Sequence, residues 1–311
     1  MMKAAIATTT SGTVRRTALI PLFAAIWFFA AIGPVRAADY SFFSQVQTRL
    51  VNDSNKSRAA APSDQFRDAF LQSQITLGRR AQVNSNDRMS LALNIRNETC
   101  REYTGLNNTG FNLTADWVHK FGIGRSAPAV RIFAGAEHLE FDDPIRDGSE
   151  YTAGIMAFKP ISNAISITAM YTLDNRTAAN DTVYFGNGHT AGGALSIGLP
   201  RHATLTFGYA QRKGDATFIC AIPTDGLIIP VSLQENAFHL IAYRREAQTT
   251  FMRTTLSMPL NPRTTLFAGY ERQETGPCTP LCRACAASPA ATSDRPWTSA
   301  NRMNSENWPR P

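Results

Sequence analysis

The feature that most constrains this chain is an alternation of apolar and polar residues with a period of two. In residues 89–96, Met89, Leu91, Leu93 and Ile95 fall on one face of an extended backbone, and polar or small residues fall on the other. Neighbouring side chains of a strand point to opposite faces, so this pattern predicts a β-strand with one apolar and one wet face. The pattern occurs in eleven segments: 41–52, 69–79, 89–96, 111–117, 128–140, 150–159, 165–174, 189–199, 204–209, 238–259 and 263–273.

The first 37 residues have the character of an export signal. They contain Lys3, Arg15, Arg16 and Arg36 but no acid, and residues 17–35 carry no charge. A Gly-Pro break and small residues before the cleavage position predict a secretory signal peptide cleaved after Ala37, with an uncleaved membrane anchor as the alternative. Without this leader, 27 basic residues face 24 acidic ones, so the net charge of +7 gives no reason to expect a nucleic-acid partner.

The connections between the predicted strands alternate in length. Short links with turn residues occur at 159–163, 199–202 and 259–262, and longer polar links at 53–68, 98–109, 175–188 and 214–236. Transmembrane barrels have tight periplasmic turns and extended external loops, and their strands need about 10 residues to cross a bilayer. No second long apolar run follows the leader, so a membrane role would depend on strands.

A soluble sandwich would bury the apolar faces of these strands, whereas a membrane barrel would expose them to lipid and enclose the polar faces. The polar faces carry charged groups of both signs, which favours the membrane barrel with a hydrated lumen. The lumen-facing candidates are Arg49, Arg96, Asp116, Arg131, Glu137, Asp174, Arg253 and Glu271.

In these features the chain resembles bacterial outer-membrane β-barrel proteins of the small-porin type. The resemblance rests on the leader, the period-two strands, the turns Leu199-Pro200-Arg201 and Leu260-Asn261-Pro262-Arg263, and a late strand at 265–272. It covers residues 38–274 and implies an all-β, antiparallel transmembrane barrel of about 12 strands in a Gram-negative bacterium. It also implies residence in the outer-membrane lipid after insertion by the barrel-assembly machinery.

The last 37 residues, 275–311, depart from this pattern. They hold six prolines and three cysteines, lack a period-two run, and do not finish on the aromatic residue usual in such barrels. Because eleven strands cannot close an even-numbered antiparallel barrel, we hypothesise an irregular or out-of-frame tail in place of a twelfth strand. Cys278, Cys282 and Cys285 lack a fourth zinc ligand at a recognisable spacing, so we expect no metal and no cofactor. Cys100 and Cys220 are either paired or free thiols.

The function expected from these features is passive diffusion of small hydrophilic solutes, with weak ion selectivity because the inner charges are mixed. An export or assembly barrel for lipoprotein or polysaccharide, working with a periplasmic partner, is the first alternative. The second is an outer-membrane lipid hydrolase with a Ser-His pair on the lipid-facing wall. His189 could face lipid, but Ser196 has the opposite parity, and His138 and His239 lack a matching serine in the sequence pattern. No catalytic residue is therefore predicted.

Overall fold

The computed structural model describes residues 39–59, 62–178, 183–220, 232–261, 263–277 and 291–295. The predicted signal peptide, 1–37, lies outside these ranges. Thirteen strands are present in the described residues: β1 Asp39–Asp53, β2 Asp68–Gln82, β3 Asp87–Cys100, β4 Asn108–Lys120, β5 Ala129–Phe141, β6 Gly148–Pro160, β7 Ile165–Ala178, β8 Gly186–Gly198, β9 Thr204–Cys220, β10 Ser232–Glu235, β11 Leu240–Asn261, β12 Thr264–Pro277 and β13 Ala291–Arg295. Short 3-10 helices occur at Pro62–Asp64, Thr104–Leu106, Pro144–Arg146 and Pro200–His202.

All strands join one antiparallel sheet in which sequence neighbours are usually spatial neighbours. The order runs from β1 to β9 and then through β11, β12 and β13, while β10 pairs only with β11. The eleven strands predicted from alternation correspond to β1–β9, β11 and β12, so the predicted all-β antiparallel barrel fold is confirmed. Most strands are longer than predicted, and β11 is the single long strand expected from residue 238, with 22 residues.

The apolar side chains lie on the exposed face of this sheet. Leu93, Ile165 and Ile167 are 41%, 38% and 45% exposed, and Leu91 on the same face is half-buried. The alternating residues of the other face, such as Asn94 and Arg96, are less accessible. This arrangement is the reverse of a soluble sandwich, whose apolar faces would be buried against each other.

The described part of the C-terminal tail continues the sheet. β12 extends to Pro277, and β13 pairs with it from Glu271↔Arg295 to Thr275↔Ala291. Cα atoms of β13 also approach those of β1 to within 8 Å, so the first and last strands of the curled sheet lie near each other. Residues 278–290 and 296–311, including the three tail cysteines, fall outside the described ranges.

The two ends of the sheet differ in their connections. At one end the links are short, and side chains close them: the Asn84 carboxamide oxygen accepts from the backbone of Asn86 and Asp87, and the Ser162 hydroxyl accepts from Ile165. At the other end the longer loops fold together over the strands and form the buried apolar cluster of the molecule. We call this cluster, built around Phe66, Tyr103, Leu106, Tyr184 and Phe238, the cap.

Candidate functional site

The polar face of the sheet carries ion pairs between neighbouring strands and also across one intervening strand, as between β3 and β5. Arg96 contacts Glu137 at 3.1 Å, and Arg131 contacts Asp116 at 2.6 Å. The Arg253 guanidinium lies 2.9 Å from the carboxylate of Glu271, which is almost fully buried. The structure therefore brings six of the eight predicted residues together as three pairs.

The other two predicted residues have partners that were not among the candidates. Asp174 pairs with Arg212 of β9 at 2.6 Å, and Arg49 of β1 donates a hydrogen bond to the carboxamide of Gln72. Lys56, from the loop after β1, also reaches Glu98 at 2.6 Å. Arg212 follows the alternation of β9, whose predicted limit at residue 209 was too early, so continuing the alternation would have identified it.

An amide ladder crosses three strands on the same face. Gln74 donates to Asn94 at 3.2 Å, and Asn94 donates to Asn112 at 3.1 Å. The Thr76 hydroxyl donates to the same Asn94 oxygen at 2.6 Å. Since these groups satisfy one another across the strands, the face is hydrophilic without leaving its amides unpaired.

The cap covers the loop end of the sheet with stacked rings. Phe66 and Phe238 stack at 5.5 Å between centroids, and Tyr103 packs against Phe238 at 4.7 Å. Burial, with the nearby charges of Glu102 and Asp68, raises the pKa of Tyr103, so its hydroxyl stays neutral in the cap. The loops that carry these rings thus form a packed structure of their own.

Buried polar groups fix two of the loops that form the cap. Asp53 accepts from the backbone of Asn55 at 3.0 Å, and Asn55 in turn donates to the carbonyl of Ala59 at 2.9 Å. Asp68, also buried, accepts from the backbone N–H groups of Glu102 and Tyr103 at 3.1 and 3.2 Å. One carboxylate at the start of β2 therefore holds the loop between β3 and β4.

On the exposed face the structure corrects the prediction that His138 lacks a serine. His138 of β5 lies directly opposite Ser149 of β6, and its Nδ1 is 3.1 Å from the serine Oγ. The Glu140 carboxylate is 3.8 Å from Nε2 of the same ring. The sequence hid this pair because the two residues are placed together only by the register of the hairpin.

The other predicted histidines have no such partner in the described contacts. His189 lies on the exposed face beside the ring of Tyr171, while Ser196 faces the other way and bonds to Thr206 at 3.0 Å, as their parity predicts. His239 occupies a turn with a φ of 54°.

Cys100 is a free, buried thiol, and the side chain of Cys220 lies outside the part of the chain that the structure describes. Within the described ranges no group of three or more His, Cys, Asp or Glu side chains could hold a metal ion. The same ranges contain no helix long and apolar enough to cross a membrane.

Comparison with known proteins finds matches to solved structures only, all at low sequence identity. No protein-family model matches the sequence, and no curated protein is significantly similar to it. The translocator domain of the autotransporter NalP from Neisseria meningitidis matches with a TM-score of 0.39 and 11% identity, covering 90% of this chain and 95% of that domain. The TodX monoaromatic hydrocarbon channel, as a deltaS2 mutant, matches with a TM-score of 0.36 and 9% identity, covering 79% and 76% of the two chains.

Proposed function

We propose that this protein is an outer-membrane β-barrel channel through which small hydrophilic solutes diffuse passively. The observation that carries the proposal is the division of one antiparallel sheet into an exposed apolar face and an enclosed face of ion pairs and amides. A bilayer accepts the first face, and water-soluble molecules can exchange hydrogen bonds with the second.

The exposed face supports a membrane location. Phe111, Ile132, Ile155, Tyr171 and Leu173 are all more than 40% exposed, which in water would be a large unfavourable apolar surface. The strands that present them have 13 or 14 residues, enough to cross a bilayer at a barrel's tilt. Outer-membrane lipid is then the partner of this face, and the barrel-assembly machinery would insert the chain.

The enclosed face supports passage of hydrophilic solutes of either charge. Each of its ion pairs joins one basic and one acidic residue, so charges of both signs line this face. A lumen with this charge distribution should discriminate weakly between cations and anions.

Conductance of the purified protein in a planar bilayer, with a salt gradient to measure selectivity, tests this function. We expect open channels with anion and cation permeabilities of the same order. Asp116→Asn should move the reversal potential toward anion preference, since Arg131 then lacks its counter-charge. Glu246→Gln, exposed on the other face of β11, should leave the potential unchanged. A reconstituted protein that conducts no ions, or that passes only one sign, would contradict the proposal.

A further inference from the structure

We propose that Ser149, His138 and Glu140 form a serine esterase site on the outer wall, acting on acyl esters of membrane lipids. The inference depends on the membrane location in the proposed function but not on channel activity. It begins from one contact: Ser149 Oγ and His138 Nδ1, 3.1 Å apart, are within the distance at which a histidine accepts a serine proton.

Glu140 completes the arrangement of nucleophile, base and positioning carboxylate. It lies two residues after His138 on the same face of β5, and its Oε1 is 3.8 Å from Nε2, the nitrogen that does not contact the serine. An N–H at Nε2 directed toward the carboxylate leaves Nδ1 with its lone pair facing the serine hydroxyl. At 3.8 Å the carboxylate acts on the ring through its charge and not through a hydrogen bond, and this charge stabilises the imidazolium that forms when Ser149 loses its proton.

The site lies where the apolar wall ends and polar side chains begin. Phe111, opposite His138 in the register, is 45% exposed and belongs to the apolar wall, while Thr109 of β4 and Asn97 of β3 follow toward the loops. In a bilayer this boundary is the level of the interface between acyl chains and headgroups, where lipid ester bonds lie. A lipid acyl chain can contact the wall below Ser149 while its ester reaches the hydroxyl.

A pocket beside Glu140 provides space for the headgroup. It has a volume of about 230 Å³ and is lined by Asn97, Asn107, Asn108, Thr109, Glu140, Phe141 and Asp142. Register places Asn97 opposite Thr109 and Thr109 opposite Glu140, so the pocket opens on the face that carries Ser149. The carboxylates of Glu140 and Asp142 give the pocket a negative charge that complements a headgroup bearing an ammonium group, and a glycerophospholipid of this kind is the substrate we assign.

The reaction balances with water as the second substrate. Ser149 Oγ attacks the ester carbonyl carbon, and its proton passes to His138 Nδ1. The bond from that carbon to the leaving alcohol breaks, and the alcohol takes the proton from His138, which leaves an acyl-serine. Water then attacks the acyl carbon, gives a proton to His138, and releases the fatty acid as the proton returns to Ser149.

The test uses the full chain in detergent micelles, with p-nitrophenyl octanoate as substrate and a fluorophosphonate probe that labels reactive serines. We expect hydrolysis and labelling of Ser149, located by peptide mass spectrometry. Ser149→Ala should abolish both, and His138→Asn should lower kcat by about 100-fold or more. His189→Asn, an exposed histidine on β8 without a serine partner, should change neither.

Two further measurements separate a catalytic site from a structural contact. With p-nitrophenyl octanoate, which has no headgroup to bind, Glu140→Gln should lower kcat by about tenfold with little change in KM, as expected for a positioning residue. Vesicles of phosphatidylethanolamine should release fatty acid faster than vesicles of phosphatidylglycerol. Heat-modifiable gel migration shows that each variant is folded; a folded wild type that neither hydrolyses the ester nor takes the label at Ser149 would overturn the inference, whatever its conductance.

Discussion

At the scale of single residues, the enclosed ion pairs make the polar face sensitive to the loss of one partner. Glu271 has a side chain only 3% exposed and depends on Arg253 for its counter-charge. Arg253→Met would leave that carboxylate buried and unpaired, so we expect the free energy of unfolding to fall by about 3 kcal/mol. Urea unfolding of the protein in detergent, followed by gel migration, measures this change.

Arg272, which follows Glu271 on β12, provides the matched control. Its ion pair with Glu274 is on the exposed face, with side chains 50% and 33% exposed. Such pairs contribute about 0–1 kcal/mol, and Arg272→Met should therefore have little effect on unfolding. If the two variants lost the same free energy of unfolding, the polar face would be no less exposed to solvent than the apolar face.

The sequence predicted which charged residues share the polar face but not which of them pair. Which face a residue takes depends only on its odd or even position along its own strand, and this local property identified Arg96, Asp116, Arg131 and Glu137. Pairing depends on the register between strands, which the loops and turns set together. The same limit concealed the contact of His138 with Ser149, which also lay one residue before the predicted start of its strand at residue 150.

At the scale of elements, the cap makes the loop end of the sheet a separate packing unit. Phe238 is 6% exposed and contacts both Phe66 and Tyr103. We expect Phe238→Ala to cost about 3 kcal/mol of cap stability because it leaves a cavity between the rings. Hydrogen exchange should then quicken at the Lys56 amide, which bonds to the Phe66 carbonyl at 2.8 Å, while amides in the middle of β6 and β7 keep their protection.

Phe238→Leu, which preserves most of the volume, should cost less than about 1.5 kcal/mol. Uniform loss of protection across all strands in Phe238→Ala would contradict a separate cap.

The alternation predicted the strands well because each strand faces two different environments. It gave no sign of the cap, since Phe66 and Tyr103 come from loops without a period and Phe238 was predicted to begin a strand. The three rings meet only after the strands have paired.

At the scale of the whole molecule, the account depends on which side of the sheet meets lipid. Strand order and hairpin connectivity follow from short links between successive strands, and so the sequence was sufficient to predict them. The ends of the sheet were less predictable: β13 is only 5 residues long and pairs with β12 through a segment in which no alternation is visible.

Spin labels on adjacent residues of β3 test the central claim most directly. In a variant with its five cysteines replaced by serine, a single label is placed at position 93 or at position 94, and the protein is reconstituted in liposomes. We predict that the label replacing Leu93 collides mainly with oxygen dissolved in the lipid, and the label replacing Asn94 mainly with a water-soluble nickel chelate. The reverse pattern, or equal exposure of both labels to the nickel chelate, would contradict an apolar outer wall around a polar interior.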